Sequence, residues 1–281
     1  MSGPTDQYPD PTNPPVPPGS TPNGDIKDPG LMITPAPQYE IQGGYASTAD
    51  NGGYNNGGGV GVVMFMDGGR TGIQVGAQVA GTQGGIFAYA QGNAKIQYRM
   101  PIDKGHIIWG GVGLDIAGRG AVDPRIDSYL KVQLPVAFIG TMFTIGDKCI
   151  VHLFAKAAFG VFDNRAQSEK KWGANLDDFV KPAAGAEAML ACGSVRVQAD
   201  YEHVFDFGKA GDTDHATLDF SQVFPVNSDG TVQLGYFLKG DYTREGALSG
   251  AAAGDSRADN RNIGSFFGGL EVRFGASGKK P

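Results

Sequence analysis

Long stretches of the sequence alternate between apolar and polar residues with a period of two. The clearest runs from Ile86 to Met100: one parity carries apolar or small residues, and the other carries aromatic, amide and basic ones. This period is that of a β-strand with two chemically different faces. The stretch is longer than the strands of about five or six residues that soluble proteins use, and roughly ten residues cross a bilayer as a tilted strand.

The same alternation recurs along the chain and predicts about twelve strands. They lie near residues 39–48, 58–67, 71–80, 86–101, 106–117, 127–142, 148–162, 179–191, 195–207, 214–224, 231–243 and 262–274. In the sixth, the expected apolar face consists of Leu130, Val132, Leu134, Val136 and Phe138. Pro135 and Pro182 fall inside predicted strands, where each removes a hydrogen-bond donor, so we expect either a bulge or a different strand boundary there.

The connections between these strands alternate between short and long. Asp103–Gly105 and Cys192–Ser194 are short, whereas Asp163–Asp178 and Thr243–Arg261 are long. Outer-membrane barrels have short periplasmic turns, longer external loops and an even number of strands. The pattern therefore predicts an all-β fold, a transmembrane antiparallel up-and-down β-barrel of about 12 strands, with about 10 or 8 as alternatives, and both chain ends on the periplasmic side.

Composition sets the limits of this domain. Glycine accounts for 45 of the 281 residues, which disfavours helices. Of the 17 prolines, 11 precede Gln38, in a polar segment that cannot form a core. We therefore expect a disordered Pro-rich periplasmic tail over 1–38, the barrel over 39–274 and a short C-terminal tail over 275–281.

Charge and residue spacing argue against several function classes. The formal net charge of -6 comes with no basic cluster beyond Lys170–Lys171 and Lys279–Lys280, so we expect no nucleic-acid partner. The opening MSGPTDQYPD lacks the basic start and apolar core of a secretory signal, and we expect the sequence to represent a mature or recombinant form, or to start at a misplaced initiator. Because neither the histidines nor the cysteines show a catalytic or ligand spacing, we expect no enzymatic activity, cofactor or metal.

The final predicted strand links the chain to a known class. One of its faces consists of Phe266, Gly268, Leu270, Val272 and Phe274. This strand resembles the assembly signal of bacterial outer-membrane β-barrel proteins, a porin-like class, although GASGKKP follows Phe274 where most members end at the aromatic residue. The resemblance implies outer-membrane localisation, contact with outer-membrane lipid and recognition of the last strand by the barrel-insertion machinery.

Aromatic residues lie preferentially near the ends of predicted strands. Barrels place such rings at the two membrane interfaces, where an apolar body meets a polar tip. The residues expected in these girdles are Tyr98, Trp109, Tyr129, Phe143, Phe159, Phe162, Tyr201, Phe205, Phe220, Phe224, Tyr242 and Phe274.

The two cysteines are expected at the same rim. Cys149 begins one predicted strand and Cys192 ends the next, so antiparallel pairing brings both to the periplasmic side. A cross-strand disulfide is geometrically feasible there if the register places the sulfur atoms opposite each other, and two unpaired thiols are the alternative.

The polar parity predicts the residues that line the barrel interior. They are Lys95, Arg99, Asp115, Lys131, His152, Lys156, Glu187, Arg196, Asp200, Glu202, Lys239 and Asp241. Their charges nearly cancel. They either form ion pairs that brace the wall or, as opposing clusters such as Lys95/Arg99 and Asp200/Glu202, create a transverse field in a narrow channel.

One leading function and two alternatives follow. The leading hypothesis is an outer-membrane barrel that forms a narrow channel for small solutes. The first alternative is a structural or adhesive barrel that acts through its external loops, chiefly Asp163–Asp178 and Arg244–Arg261. The second is a soluble lipid-binding barrel, in which apolar residues would point inward. Val63 and Phe65 lie on the inward parity of their strand and indicate an apolar patch inside the barrel.

Overall fold

Almost every residue that the structure describes lies in a β-strand. The computed structural model describes residues 38–50, 53–67, 71–82, 87–103, 106–121, 129–145, 149–158, 161–163, 182–206, 211–228, 231–247 and 259–275. The strands are β1 (Gln38–Asp50), β2 (Gly53–Asp67), β3 (Thr71–Thr82), β4 (Phe87–Asp103), β5 (His106–Ala121), β6 (Tyr129–Ile145), β7 (Cys149–Ala158), β8 (Val161–Asp163), β9 (Ala183–Cys192), β10 (Val195–Val204), β11 (Thr213–Pro225), β12 (Val232–Glu245) and β13 (Arg261–Phe274). The described residues contain no helix that is long and apolar enough to cross a membrane.

These segments make up a closed barrel of twelve strands. β7 and β8 both pair with β6, at residues 136–145 and 131–133 respectively, so they are two parts of one barrel strand. Each barrel strand is antiparallel to the next, and β13 returns to pair with β1 from Tyr39↔Phe274 to Asp50↔Ile263. The predicted fold class and the predicted number of strands are confirmed.

The outward face of the barrel is apolar and the inward face is polar. On the outside, Leu134 is 56% exposed, and Ile139 and Leu270 are 64% exposed. On the inside, the charged side chains of Arg99 and Glu271 are buried. A soluble lipid-binding barrel has the opposite arrangement, so this alternative does not fit the fold, whereas a lipid-facing exterior does. The prediction of a transmembrane antiparallel β-barrel with an apolar outer face is confirmed.

A bulge in β6 changes which residues of this strand point inward. The register with β5 shifts between Gly113 and Asp115, where β6 contains one extra residue. Pro135 lies at this bulge, where its missing N–H breaks no ladder. Because one extra residue reverses the parity of the rest of the strand, Val136 and Phe138 point into the barrel and are only 2% and 7% exposed. The prediction that they lie on the outward face is wrong.

The second proline marks a strand boundary. β9 begins at Ala183, so Pro182 precedes the strand instead of lying inside it. Its carbonyl oxygen accepts a hydrogen bond from the N–H of Phe205 at 2.9 Å. Residues 164–181 and 248–258, which make up most of the predicted external loops, lie outside the described residues, as do 1–37 of the predicted tail and 276–281.

The first and last strands approach each other closely where they close the barrel. Gly44 of β1 lies directly opposite Gly269 of β13. A Cβ atom on Gly44 would overlap the carbonyl oxygen of Gly268, and one on Gly269 would overlap that of Gly43. Glycine is required at both positions because only a hydrogen atom fits between the two backbones.

Candidate functional site in the barrel interior

Two walls of different chemistry face each other across the interior. The amide wall lies on β2–β4 and consists of Gly61, Gly72, Gln74, Gly76, Gln78, Asn93 and Gln97. Three of its amides lie directly beside a glycine of the neighbouring strand, in the pairs Gly61↔Gln78, Gly72↔Gln97 and Gly76↔Asn93. The ionic wall lies on β9–β13 and consists of Glu187, Arg196, Asp200, Glu202, Asp219, Lys239, Glu271 and Arg273.

A group of buried side chains, the Glu40 network, connects β1 to the ionic wall. The Glu40 carboxylate lies 3.4 Å from Arg196 Nη1 and 3.2 Å from Arg273 Nε. Arg273 also contacts Glu271, and Gln42 Nε2 donates hydrogen bonds to Glu40 at 2.9 Å and to Glu271 at 3.2 Å. Because three strands separate β1 from β10, the contact between Glu40 and Arg196 spans the lumen. Pairing offsets the desolvation cost of these charges.

A second ionic group, the Lys156 network, places one cation between the two carboxylates of β10. Lys156 Nζ lies 3.0 Å from Asp200 Oδ2 and 3.4 Å from Glu202 Oε2. Gln133 Nε2 of β6 donates a hydrogen bond to Glu202 Oε1 at 3.0 Å. The carboxylates that the sequence suggested as one pole of a transverse field are therefore paired, and they brace β6, β7 and β10 against one another.

Four rings from β5, β6 and β7 form an aromatic cluster inside the barrel. The Trp109 ring centroid lies 4.3 Å from that of His152, 5.2 Å from that of Phe138 and 5.1 Å from that of Phe154. Trp109 is only 7% exposed. The prediction that it belongs to an interfacial girdle is wrong, because its parity on β5 is the inward one.

Two phenylalanines form a second apolar cluster beside the amide wall. The rings of Phe237 and Phe267 meet edge to face, with centroids 4.7 Å apart, and Ala46 and Ala80 pack against them. A Cβ on Gly59 would lie 3.1 Å from the ring of Phe267, so this glycine leaves room for the ring. The Phe237–Phe267 pair narrows the interior between the two walls.

The walls and the aromatic cluster enclose a cavity of about 290 Å³. It is bounded by the whole amide wall and by the four rings of the aromatic cluster. The charged residues that line it are Glu40, Lys95, Arg99, Glu187, Arg196, Asp219 and Lys239. Lys239 Nζ reaches across the interior to Gln78 Oε1 at 3.5 Å, so the cavity is bounded on both sides of the lumen.

Several polar atoms around this cavity are buried without a partner. Among the described residues that line it, Trp109 Nε1, Arg196 Nε, Asn93 Oδ1 and Asp219 Oδ1 have no hydrogen-bond partner. The two nitrogens can only donate, and the two oxygens accept. An unpaired buried polar group costs roughly 1–3 kcal/mol, so the cavity presents two donors and two acceptors that a polar molecule could satisfy.

Every predicted lumen residue whose side chain the structure describes lies at an inward-facing position. Those that line the cavity are Lys95, Arg99, His152, Glu187, Arg196 and Lys239. Lys156, Asp200 and Glu202 form the Lys156 network. Asp241 lies 3.0 Å from His215 Nε2, and Asp115 is half-buried on the inward parity of β5. The side chain of Lys131 falls outside the described part of the structure.

Sequence reasoning missed Glu40 and Gln42, which lie on the first strand, where neighbouring small residues blur the alternation. It predicted Arg196 as a lumen residue but not its contact with Glu40, because the two residues are distant in sequence. His203 Nδ1 lies 2.8 Å from Asp214 Oδ1 because the two residues are register partners in β10 and β11. The pairing of Glu40 with Arg273 was accessible in principle, since closing the barrel places the two chain ends side by side.

The cysteines and the last strand lie where their parities put them. Cys149 and Cys192 are register partners in β7 and β9, and their sulfur atoms form a disulfide. On β13, Phe266, Leu270 and Phe274 face outward and are 40%, 64% and 38% exposed.

Within the described residues, no group of three or more His, Cys, Asp and Glu side chains is arranged to hold a metal ion.

A comparison with solved structures finds similarity to outer-membrane proteins, whereas the sequence matches no family model and no curated protein. The KdgM porin has a TM-score of 0.40 and 8% identity, over 84% of this chain and 98% of that chain. A Pseudomonas aeruginosa FadL homologue has a TM-score of 0.39 and 8% identity, over 87% of this chain and 91% of that chain. The Escherichia coli outer membrane protease OmpT has a TM-score of 0.39 and 8% identity, over 88% of this chain and 99% of that chain. The expectation that this protein is not an enzyme stays a prediction.

Proposed function

We propose that this protein is an outer-membrane channel of narrow bore for small polar solutes. The observation that carries the proposal is the polar cavity of about 290 Å³ inside a barrel whose outer surface is apolar. A purely structural barrel of this size can fill its interior with apolar side chains, which avoids the cost of burying polar groups. Amide and charged side chains around internal space are instead what hydrated solutes require.

The narrow bore follows from the contacts that cross the interior. The ion pair between Glu40 and Arg196 spans the lumen, and the Phe237–Phe267 pair fills space beside the amide wall. A solute must pass between these groups or displace them. We therefore expect a small single-channel conductance, because the bore admits one hydrated solute at a time.

Planar bilayer recording tests this function. Protein that is refolded in detergent, and that shows heat-modifiable gel mobility, should give discrete current steps. Replacing both Phe237→Ala and Phe267→Ala should increase the step size, because the two rings narrow the lumen. Leu218→Ala is the matched control, since this side chain faces outward and is 57% exposed. Absence of current from correctly folded protein would contradict the channel function.

We also infer that the protein resides in the bacterial outer membrane and that β13 guides its insertion. The ring of Phe274 stacks on that of Tyr39 across the closing seam, with centroids 5.3 Å apart. A last strand that is recognised before closure should be sensitive at this ring. Phe274→Ala should therefore lower the folded fraction recovered from outer membranes more than Phe266→Ala does, whereas equal recovery would oppose this role.

A further inference from the structure

We propose that the interior cavity is a binding subsite for a neutral, polyhydroxylated solute with the size of one sugar ring. The proposal rests on the channel function and specifies its substrate class. The volume of about 290 Å³ lies just below the roughly 300–1,000 Å³ that is typical of small-ligand pockets. A single ring with its hydroxyl groups fits this size, whereas a longer chain has to pass through in steps.

The unpartnered atoms determine what kind of polar group the ligand carries. Trp109 Nε1 and Arg196 Nε need acceptors, while Asn93 Oδ1 and Asp219 Oδ1 need donors. A hydroxyl group both donates and accepts, so a ring with several hydroxyls can satisfy all four atoms. Trp109 is more than nine-tenths buried, so its N–H depends on a partner within the cavity.

The carboxamide side chains around the cavity also suit a ligand with hydroxyl groups. Carboxamides donate and accept at the same end, and Gln42, Gln74, Gln78, Asn93, Gln97 and Gln198 all line the cavity. Three of these amides lie beside a glycine, which has no side chain to project into the cavity, so the ligand can approach the amides closely. Such a surface can hydrogen-bond hydroxyl groups in several orientations, which suits a solute that passes through.

The charges of the cavity favour a neutral ligand over an ion. Within the described part of the chain, four cations and three carboxylates line it, so neither sign has a large excess. Arg196 is bound to Glu40, and Lys239 lies beside Asp219 as its register partner. An anion would meet Glu40, Glu187 and Asp219, and a cation would meet the arginines and lysines. Either ion gains little net attraction and loses its hydration.

Tryptophan fluorescence measures binding independently of conduction. The chain contains two tryptophans, so Trp172→Phe leaves Trp109 as the single reporter. In detergent, glucose should change the emission of this variant in a saturable manner. Glucuronate has the same ring with one carboxylate added, and should bind more weakly. No saturable change with glucose, or stronger binding of glucuronate, would overturn the proposal.

Two substitutions localise the site. Asn93→Ala removes one amide from the cavity and should weaken glucose binding about fivefold to tenfold, as expected for one hydrogen bond. Ser265→Ala is the control, because Ser265 faces inward on β13 but does not line the cavity. Equal binding by both variants would place the sugar elsewhere.

Current recordings separate failure of the subsite from failure of the channel. In the channel, glucose should reduce the ionic current, and Trp109→Phe, which keeps a ring but removes the N–H, should weaken this block. Current without any glucose block would refute the subsite and leave the channel function standing. Saturable fluorescence changes without any current would refute the channel and retain the binding site.

Discussion

The amide wall and the ionic wall are two solutions to the same problem, that of lining a barrel with polar groups. The amide wall uses neutral side chains beside glycines, so it needs no opposite charge to offset its burial and leaves volume free. The ionic wall uses charged groups, which are tolerable inside only when they are paired. Arg273 pairs with Glu40 on the neighbouring strand, and Arg196 reaches across the lumen to Glu40. The cavity therefore lies against the amide wall, while the ionic wall holds the barrel together.

This difference predicts that substitutions have different effects on the two walls. On the ionic wall, a single change leaves a buried charge without its partner and should reduce stability. On the amide wall, a single change should alter the cavity and its ligand more than it alters stability. The four tests below run from the largest expected effect to the smallest.

The seam, where β1 pairs with β13 to close the barrel, should tolerate substitution least. Gly269→Val should prevent stable closure, because the new side chain would overlap the backbone of Gly43 and Gly44, which cannot rotate away. We expect loss of the heat-modifiable folded band on gels. Gly264→Val on the same strand is the control, since a Cβ there meets nothing within 4 Å. A folded band for both variants would show that the seam can relax.

Removal of the Glu40 carboxylate should destabilise the ionic wall strongly. Glu40→Leu leaves Arg196 without its described partner and should lower the free energy of unfolding by about 3–5 kcal/mol. Adding Arg196→Met should recover much of this loss, because the orphaned cation is removed and Arg273 keeps Glu271. Urea unfolding in detergent measures both variants. A double variant no more stable than the single one would argue against the ion pair.

Reduction of the disulfide tests the covalent brace next to the ionic wall. Opening the Cys149–Cys192 bond should lower the free energy of unfolding by about 2–4 kcal/mol, because the unfolded chain gains conformational freedom. Unfolding midpoints with and without dithiothreitol give the difference. The Cys149→Ser, Cys192→Ser variant should show no response to the reductant, and a midpoint that reductant leaves unchanged in the native chain would contradict the prediction.

The smallest stability effect is expected on the amide wall. In Gly76→Ala the new Cβ lies 3.3 Å from the Asn93 amide, which must move slightly, at a cost of under about 1 kcal/mol. Glucose binding should weaken because Asn93 is displaced. Gly61→Ala is the matched control, because its Cβ would lie 3.6 Å from Gln78 in ordinary contact. Loss of folding in Gly76→Ala, or equal glucose binding by both, would contradict this difference.

Much of the lumen could be predicted from parity, but not its pairing. Lys95, Glu187 and Lys239 follow the polar parity of regular stretches of their strands, and they line the cavity. Phe138 could not be placed, because one extra residue near Pro135 reverses the parity beyond it. Trp109 was assigned to a girdle from its position near a strand end, although its parity already placed it with Asp115 on the inward face.

The sequence by itself determined the number of strands, the closed antiparallel sheet and the direction that each regular strand gives to its apolar side chains. These properties depend on period-two alternation, which is local. Only the tertiary structure decided the register, and with it the disulfide, the contact of Glu40 with Arg196 and the rings that meet at Trp109. Register is set by the simultaneous pairing of all strands around the closed barrel, so no single segment encodes it.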